Sequence, residues 1–180
     1  MAEIRPLTLD DLSAYIDHLS RHYGEPGANG EIAQPHSILS FNDCEQYRSK
    51  IANRWGAPRK EGAWSRTWGV IDGSLIVGHL EINHRANPHM AHRVILGMGI
   101  EQKYRRQGFG TKLLAEATHW IQSMASIDWV DLKVFAHNQA AIDLYQKFRF
   151  KEIGRIPDQL RIDEKHIDEV LMALDLRMTK

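Results

Sequence analysis

Cysteine is nearly absent, with Cys44 the single one in 180 residues. One thiol excludes an intramolecular disulfide and any zinc site built from several cysteines. Neither sign of charge is in excess: 23 Lys and Arg stand against 23 Asp and Glu, for a formal net charge of zero. Sequence-independent nucleic-acid binding relies on surplus cations to neutralise phosphates, so this balance argues against it. It argues equally against a polybasic membrane anchor. No stretch approaches the apolar length that spans a bilayer, and Met1 to Asp10 holds no run of signal-peptide length. Internal repeats, low-complexity tracts and linker-like segments are missing as well. What is present is a 43% hydrophobic content, enough to build a core. The expectation is a cytoplasmic, globular chain with no nucleic-acid or membrane partner, forming one domain over residues 1–180.

Apolar periodicity switches between the two regular types along the chain. Residues 4–9 read as a short strand, with Pro6 marking an edge or entry segment. Asp10 and Asp11 open a helix over 11–22 with Leu12, Tyr15, Ile16 and Leu19 on one stripe. Residues 24–35, rich in Gly and Pro, read as a loop, and 41–55 return to helical spacing through Cys44, Tyr47, Ile51 and Trp55. That stripe makes Cys44 a small buried hydrophobe rather than an acyl carrier. Strands at 68–71 and 75–83 flank the hairpin signal Asp72-Gly73. A third strand, 94–100, puts Val94, Leu96, Met98 and Ile100 on one face and Gly97 and Gly99 on the other. A strand face without side chains predicts close approach by a ligand or another backbone.

The second half repeats the alternation. Leu113, Leu114, Ala117, Trp120, Ile121 and Met124 mark a helix, and Val130, Leu132 and Val134 a strand. Asn138 is placed to cap a further helix carrying Ala141, Leu144, Tyr145 and Phe148. Residues 150–155 and 170–176 read as two last strands, with the charged stretch between them as a solvated hairpin. The order of elements predicts a mixed α/β domain.

The chemistry concentrates between Gly97 and Thr111. There a strand leads through Arg105 and Arg106 into Gln107-Gly108-Phe109-Gly110 and a helix. The first amides of a helix have no intrahelical acceptor and sit at its positive end, so they attract anions. Glycines at that point remove side chains that would keep a phosphate from those amides. The plainer reading is a tight turn beside solvated arginines. No Gly-Lys-Ser/Thr follows, which excludes a Walker A loop, and the third glycine of the dinucleotide fingerprint is missing, with Leu113 at that spacing.

These residues resemble a known family. Arg105-Arg106-Gln107-Gly108-Phe109-Gly110 is similar to the Arg/Gln-x-x-Gly-x-Gly/Ala signature of the GNAT superfamily of acyl-CoA-dependent N-acetyltransferases. Leu96-Gly97-Met98-Gly99-Ile100 looks like the strand that precedes it. Asn138 to Tyr145, followed by Phe148 and Phe150, resembles the family's second cofactor segment. The resemblance implies a single GNAT-like domain, its mostly antiparallel sheet flanked by helices, with a cofactor cleft between central strands. It implies acetyl-CoA as cosubstrate, with the pyrophosphate on the amides from Arg106 to Thr111 and Arg105 and Arg106 adding positive charge. The pantetheine arm would run beside Met98, Gly99 and Ile100, with Asn138 contacting it. Tyr145 would protonate the departing thiolate, and the backbone N–H near Met98 would polarise the thioester carbonyl.

The attacking amine also needs a base. The 94–100 strand has no central carboxylate, which departs from some relatives. Glu81 is the leading candidate, with His79 on the same strand face and His92 as others; a water relay would need no residue at all. Histidines at 79, 84, 89 and 92 surround one hairpin, and His18 and His22 lie one helical turn apart, but without ligand spacing no metal is expected. Trp55, Trp64 and Trp68 read as core or rim residues near the second helix. The acceptor is expected to be a small-molecule amine or a protein N-terminus, and a homodimer is compatible with the sequence. The alternative is a non-enzymatic acyl-CoA binding or sensing module, against which the retention of Tyr145 weighs.

Overall fold

In chain order the elements are β1 (Glu3–Pro6), α1 (Leu12–Tyr23), α2 (Cys44–Gly56), β2 (Ser65–Asp72), β3 (Leu75–His84), β4 (Arg93–Ile100), α3 (Phe109–Gln122), β5 (Trp129–Phe135), α4 (Gln139–Lys147), β6 (Lys151–Ile162) and β7 (Lys165–Asp175). The computed structural model describes residues 2–25, 44–59, 63–162 and 164–178. The loop expected over 24–35 and the start of the helix expected at Phe41 therefore lie mostly outside the described residues.

The strands form one seven-stranded sheet in the order β1-β2-β3-β4-β5-β7-β6. Every neighbouring pair is antiparallel except β4 with β5. This is the mixed, mostly antiparallel sheet that the family resemblance implies. Alternation along β3 sends Leu80 and Ile82 toward Leu113 and Leu114 of α3, in the larger core. The opposite face, carrying His79 and Glu81, meets α1. A smaller core of Leu7, Tyr15, Leu19 and Ile76 lies there, with Tyr47 and Trp55 of α2 packed against it.

Several strands are longer than apolar alternation indicates. β2 starts at Ser65 because Ser65 and Thr67 are buried although polar. Thr67 accepts a hydrogen bond from Trp55 Nε1 at 3.0 Å, which offsets the cost of its burial. β6 and β7 run for 12 and 11 residues. Their outer halves are largely exposed and polar, so backbone pairing out to Ile162↔Lys165 holds them without a hydrophobic signal. β1 is an edge strand, which tolerates Pro6 because no ladder bond to β2 needs its N–H, and Leu7 N still donates to Thr67 O at 2.8 Å.

The feature that shapes the site is a parting of strands. β4 and β5 pair only at Arg93↔Trp129, Val94↔Val130 and Ile95↔Asp131. Beyond Ile95, β4 stays with β3 as far as Ile100, while β5 stays with β7 as far as Phe135. A wedge opens between them. Its closed end is pinned by Asp131, which accepts two bonds from the Arg93 guanidinium, one at 2.9 Å to Nε, and a third from Arg85 at 3.3 Å. Arg93 also lies over the Trp129 ring at 4.8 Å.

Candidate active site

The loop from Glu101 to α3 faces the open end of the wedge. Arg106 and Gly108 both take left-handed backbone, with φ of 63° and 82°. Gly108 does so without strain, whereas Arg106 costs about 1–2 kcal/mol. Gly108 is the N-cap of α3, and the first intrahelical bond runs from Lys112 N to Gly108 O at 3.1 Å. The amides of Phe109, Gly110 and Thr111 thus precede any helical acceptor. A Cβ placed on Gly108 would meet nothing within 4 Å, so the turn is open on its outer side. Arg106, Gln107 and Thr111 are exposed there, and Phe109 is half-buried.

Two residues of this loop do something different from the sequence expectation. Gly110 is buried, and a Cβ on it would lie 3.0 Å from Leu144 Cδ2 and 3.7 Å from Met98 Cε. Its missing side chain lets α3 pack on α4 and β4. Arg105 turns away from the loop: Nε donates to Ile100 O at 2.8 Å and the guanidinium pairs with Glu25 at 2.8 Å. Glu25 also accepts from Gln102 N at 2.7 Å. Gln107 donates back to Lys103 O at 3.0 Å. The charge left at the turn itself is that of Arg106.

On the far side of the wedge stands α4. Asn138 Oδ1 accepts from Ala141 N at 3.2 Å, the N-cap that the sequence predicts. Tyr145 packs its ring beside Phe150, with centroids 5.8 Å apart. Its hydroxyl takes no hydrogen-bond partner among the described residues and is not among the sealed, unpartnered polar atoms. Burial pushes it up to about 12, so it is a protonated donor at neutral pH.

The glycine face of β4, where the sequence predicts close approach by a ligand or another backbone, is approached by side chains. A Cβ on Gly97 would lie 3.2 Å from Glu81 Oε1, and one on Gly99 would lie 2.3 Å from His22 Nε2 and 2.8 Å from His79 Cε1. The space is taken by large side chains from β3 and α1, since Glu81 and His79 stand directly across from Gly97 and Gly99. Glu81 is part-buried. Burial raises its carboxyl above the usual range, against the opposing pull of a hydrogen bond to Asn83 and the charges of Arg54 and Lys50. Burial, with the Glu81 charge second, also raises Tyr15 and Tyr23.

The histidines assemble differently from their order in sequence. His79 leaves the hairpin group and joins His18 and His22 of α1, all buried. His18 Nε2 lies 2.9 Å from His79 Nδ1, and His18 Nδ1 lies 2.9 Å from Glu101 Oε1. His22 stacks on His18 at 5.6 Å. Arg21 donates to the same Glu101 oxygen at 3.1 Å. Burial lowers all three imidazoles, His22 to about 3. The i, i+4 spacing of His18 and His22 on a helix whose stripe is otherwise apolar is the signal that points to them. His89 and His92 stay exposed, and His84 stacks on Trp64 at 5.0 Å. Trp64 and Trp68 are core residues. A cleft of about 290 Å³ lined by Arg59, Arg66, Trp68 and Trp120 holds none of the expected site residues.

A model of the Acetyltransferase (GNAT) family matches residues 31–150. The chain belongs to this family. Among relatives of this GNAT protein, the L-amino acid N-acetyltransferase AaaT of Escherichia coli is 27% identical over 103 residues, covering 57% of this chain and 63% of that protein. The histone acetyltransferase MCC1 of Arabidopsis thaliana is 32% identical over 79 residues, 44% of this chain and 32% of its own length. The match thus spans less than two thirds of either protein. Among solved structures, the acetyltransferase of the GNAT family from Streptococcus pneumoniae superposes with a TM-score of 0.77 at 26% identity, over 97% of this chain and 99% of that one. The structure of yncA from Salmonella typhimurium, solved with its cofactor acetyl-CoA, shares the fold with a TM-score of 0.72 at 13% identity, over 98% and 94%.

Proposed function

We propose that this GNAT protein transfers an acetyl group from acetyl-CoA to a primary amine, either a small molecule or a protein N-terminus. The observation that carries the reading is the β4–β5 wedge opening onto the amide turn at the start of α3. A strand edge without a partner and a helix start without acceptors are the two surfaces that an extended amide-bearing arm ending in phosphates needs. Acetyl-CoA supplies the activated thioester. The amides from Arg106 to Thr111 receive its pyrophosphate, Arg106 adds charge, and the backbone of Met98, Gly99 and Ile100 pairs with its arm. Arg105 contributes by holding the loop to Ile100 and Glu25. Asn138 fixes the start of α4 and offers its side-chain amide to the arm.

Chemistry is divided between two faces. Glu81, beside Gly97, attracts the acceptor's ammonium group and takes a proton from it. The N–H near Met98 polarises the carbonyl. Tyr145 gives its proton to the leaving sulfur. The names of the relatives frame the acceptor, since they include an L-amino acid N-acetyltransferase and, in Danio rerio, N-alpha-acetyltransferase 50. The site lies in a single domain over residues 1–180. No described helix is long and apolar enough to cross a membrane, and we assign the activity to the cytoplasm. The test is free-thiol release from acetyl-CoA over a panel of amino acids, amines and N-terminal peptides. Thiol release that depends on one acceptor class supports the reading. Tight CoA binding with no release against any of them returns the protein to an acyl-CoA binding module.

A further inference from the structure

We infer that His79 is a second proton acceptor in the reaction, its Nε2 presented as a base by the chain His79–His18–Glu101. The inference rests on the acetyltransferase reading above and adds a residue and a proton path to it. The demand comes from the balance of the reaction. The acceptor enters as an ammonium ion and leaves as a secondary amide. A bond forms from its nitrogen to the acyl carbon, the carbon–sulfur bond breaks, and the nitrogen loses two protons. One is matched by the proton that the sulfur gains, and the other goes to solvent. Glu81 holds one proton at a time, so a second acceptor lets both leave without Glu81 having to empty between the two steps.

The hydrogen-bond chain fixes which nitrogen is free. Glu101 is buried and receives Arg21 Nε at 3.1 Å and His18 Nδ1 at 2.9 Å on one oxygen. A carboxylate only accepts, so His18 carries its proton on Nδ1. Neutral His18 then has a bare Nε2. His79 Nδ1, 2.9 Å away, must donate to it. The proton of His79 is therefore on Nδ1, and Nε2 holds the lone pair. This is the logic of an imidazole oriented by a second group that is itself oriented by a carboxylate.

The position of His79 fits the task. It stands across from Gly99, on the part of β4 that has no β5 partner. Its Cε1 lies against Gly99, and the bulk that a Cβ would add there is excluded. Nε2 meets no partner among the described residues, and it is not one of the sealed unpartnered atoms, which are Arg54 Nε, Trp64 Nε1 and Arg85 Nε. The groups that face the ring are Tyr15, His18 and His22 from α1, with Glu81 two residues along β3 and Arg21 and Glu101 behind His18. Acting directly or through one water, Nε2 takes the second proton from the acceptor nitrogen. Burial disfavours a charged ring here, so the imidazolium is transient, kept in place by its bond to His18. The proton leaves to solvent from Nε2 as the product departs. His18 and Glu101 are positioning residues.

The test begins with two-bond ¹H–¹⁵N NMR of the full-length protein at pH 7, which reads each histidine's tautomer without a substrate. The expected result is His18 and His79 both neutral with the proton on Nδ1. A proton on Nε2 of His79, or a charged ring, overturns the inference whatever the activity. Glu101→Met removes the acceptor that fixes the His18 tautomer, and the opposite tautomer should appear on His79; an unchanged spectrum removes Glu101 from its role. His79→Asn keeps a donor toward His18 and removes the base. Its kcat should fall about 10²-fold with acetyl-CoA affinity unchanged. Wild-type kcat in that variant overturns the inference and leaves the acetyltransferase reading standing. Absence of thiol release from the wild-type protein sinks that reading instead, with the tautomer result still decisive for the chain.

Discussion

Tyr145 is buried to 5% exposure, yet its hydroxyl has no protein partner among the described residues. Tyr145→Phe keeps the ring against Phe150 and removes only the oxygen. A hydroxyl of purely structural use would leave kcat unchanged. A proton donor to the leaving sulfur predicts a loss of about 10²-fold in kcat, with melting temperature and acetyl-CoA affinity nearly intact. Gly99 makes an opposite kind of prediction. Gly99→Ala forces a methyl to within 2.3 Å of where His22 Nε2 stands. Overpacking of this kind costs about 1–3 kcal/mol, to be read as a lower denaturation midpoint with unchanged slope. The residue scale also shows what sequence hides. The alternation of Val94 to Ile100 correctly marks a glycine face, but not what fills it. His22, some 80 residues away in sequence, comes from another element, and no local pattern reports a contact of that range.

Helices, the hairpin at Asp72-Gly73 and the Asn138 cap are legible in sequence because each is set by residues within one or two turns of one another. The lengths of β2, β6 and β7 are not, since buried polar residues such as Thr67 and solvated strand faces carry no apolar alternation. The parting of β4 from β5 is less legible still, because it is a relation between two elements and appears only in their register. The resemblance around Arg105 to Gly110 points to the turn that opens α3, while the contacts of Arg105 and Gly110 there depend on Glu25 and Leu144. That separation decides how the turn is tested. Gly110→Glu would wedge α3 away from Leu144 and report on folding. Gly108→Glu extends into open space and adds negative charge beside the free amides. Gly108→Ala shares the strain of φ 82° without the charge. Calorimetry should show at least a tenfold loss of CoA affinity in Gly108→Glu relative to Gly108→Ala. Equal affinities would move the phosphates away from this turn.

At the scale of the whole molecule, the formal net charge is zero at pH 7 with the ten histidines neutral, so acidification acts first through histidine. The buried histidines dominate. Burial lowers His18, His22 and His79 from their ordinary value of 6.5, His22 to about 3. In the unfolded chain all three take up protons as pH falls through 6.5, while in the folded chain they stay neutral. The unfolded state therefore binds more protons, and stability, complete above 6.5, is lost progressively as pH falls toward the lowered folded values. Each imidazole that is charged in the unfolded chain and neutral in the folded one adds a slope that approaches about 1.4 kcal/mol per pH unit. Glu81 and Glu25, raised by burial, act in the opposite sense toward the lower end of this range. The clean window thus lies just below 6.5. Denaturant unfolding at pH 7.5 and 5.5 should show a marked loss at the lower pH. His22→Gln, which removes one buried imidazole from the balance, should flatten that slope. A slope unchanged in His22→Gln would mean that His22 titrates alike in the folded and unfolded chains. That is incompatible with a ring packed between His18 and the backbone of Gly99.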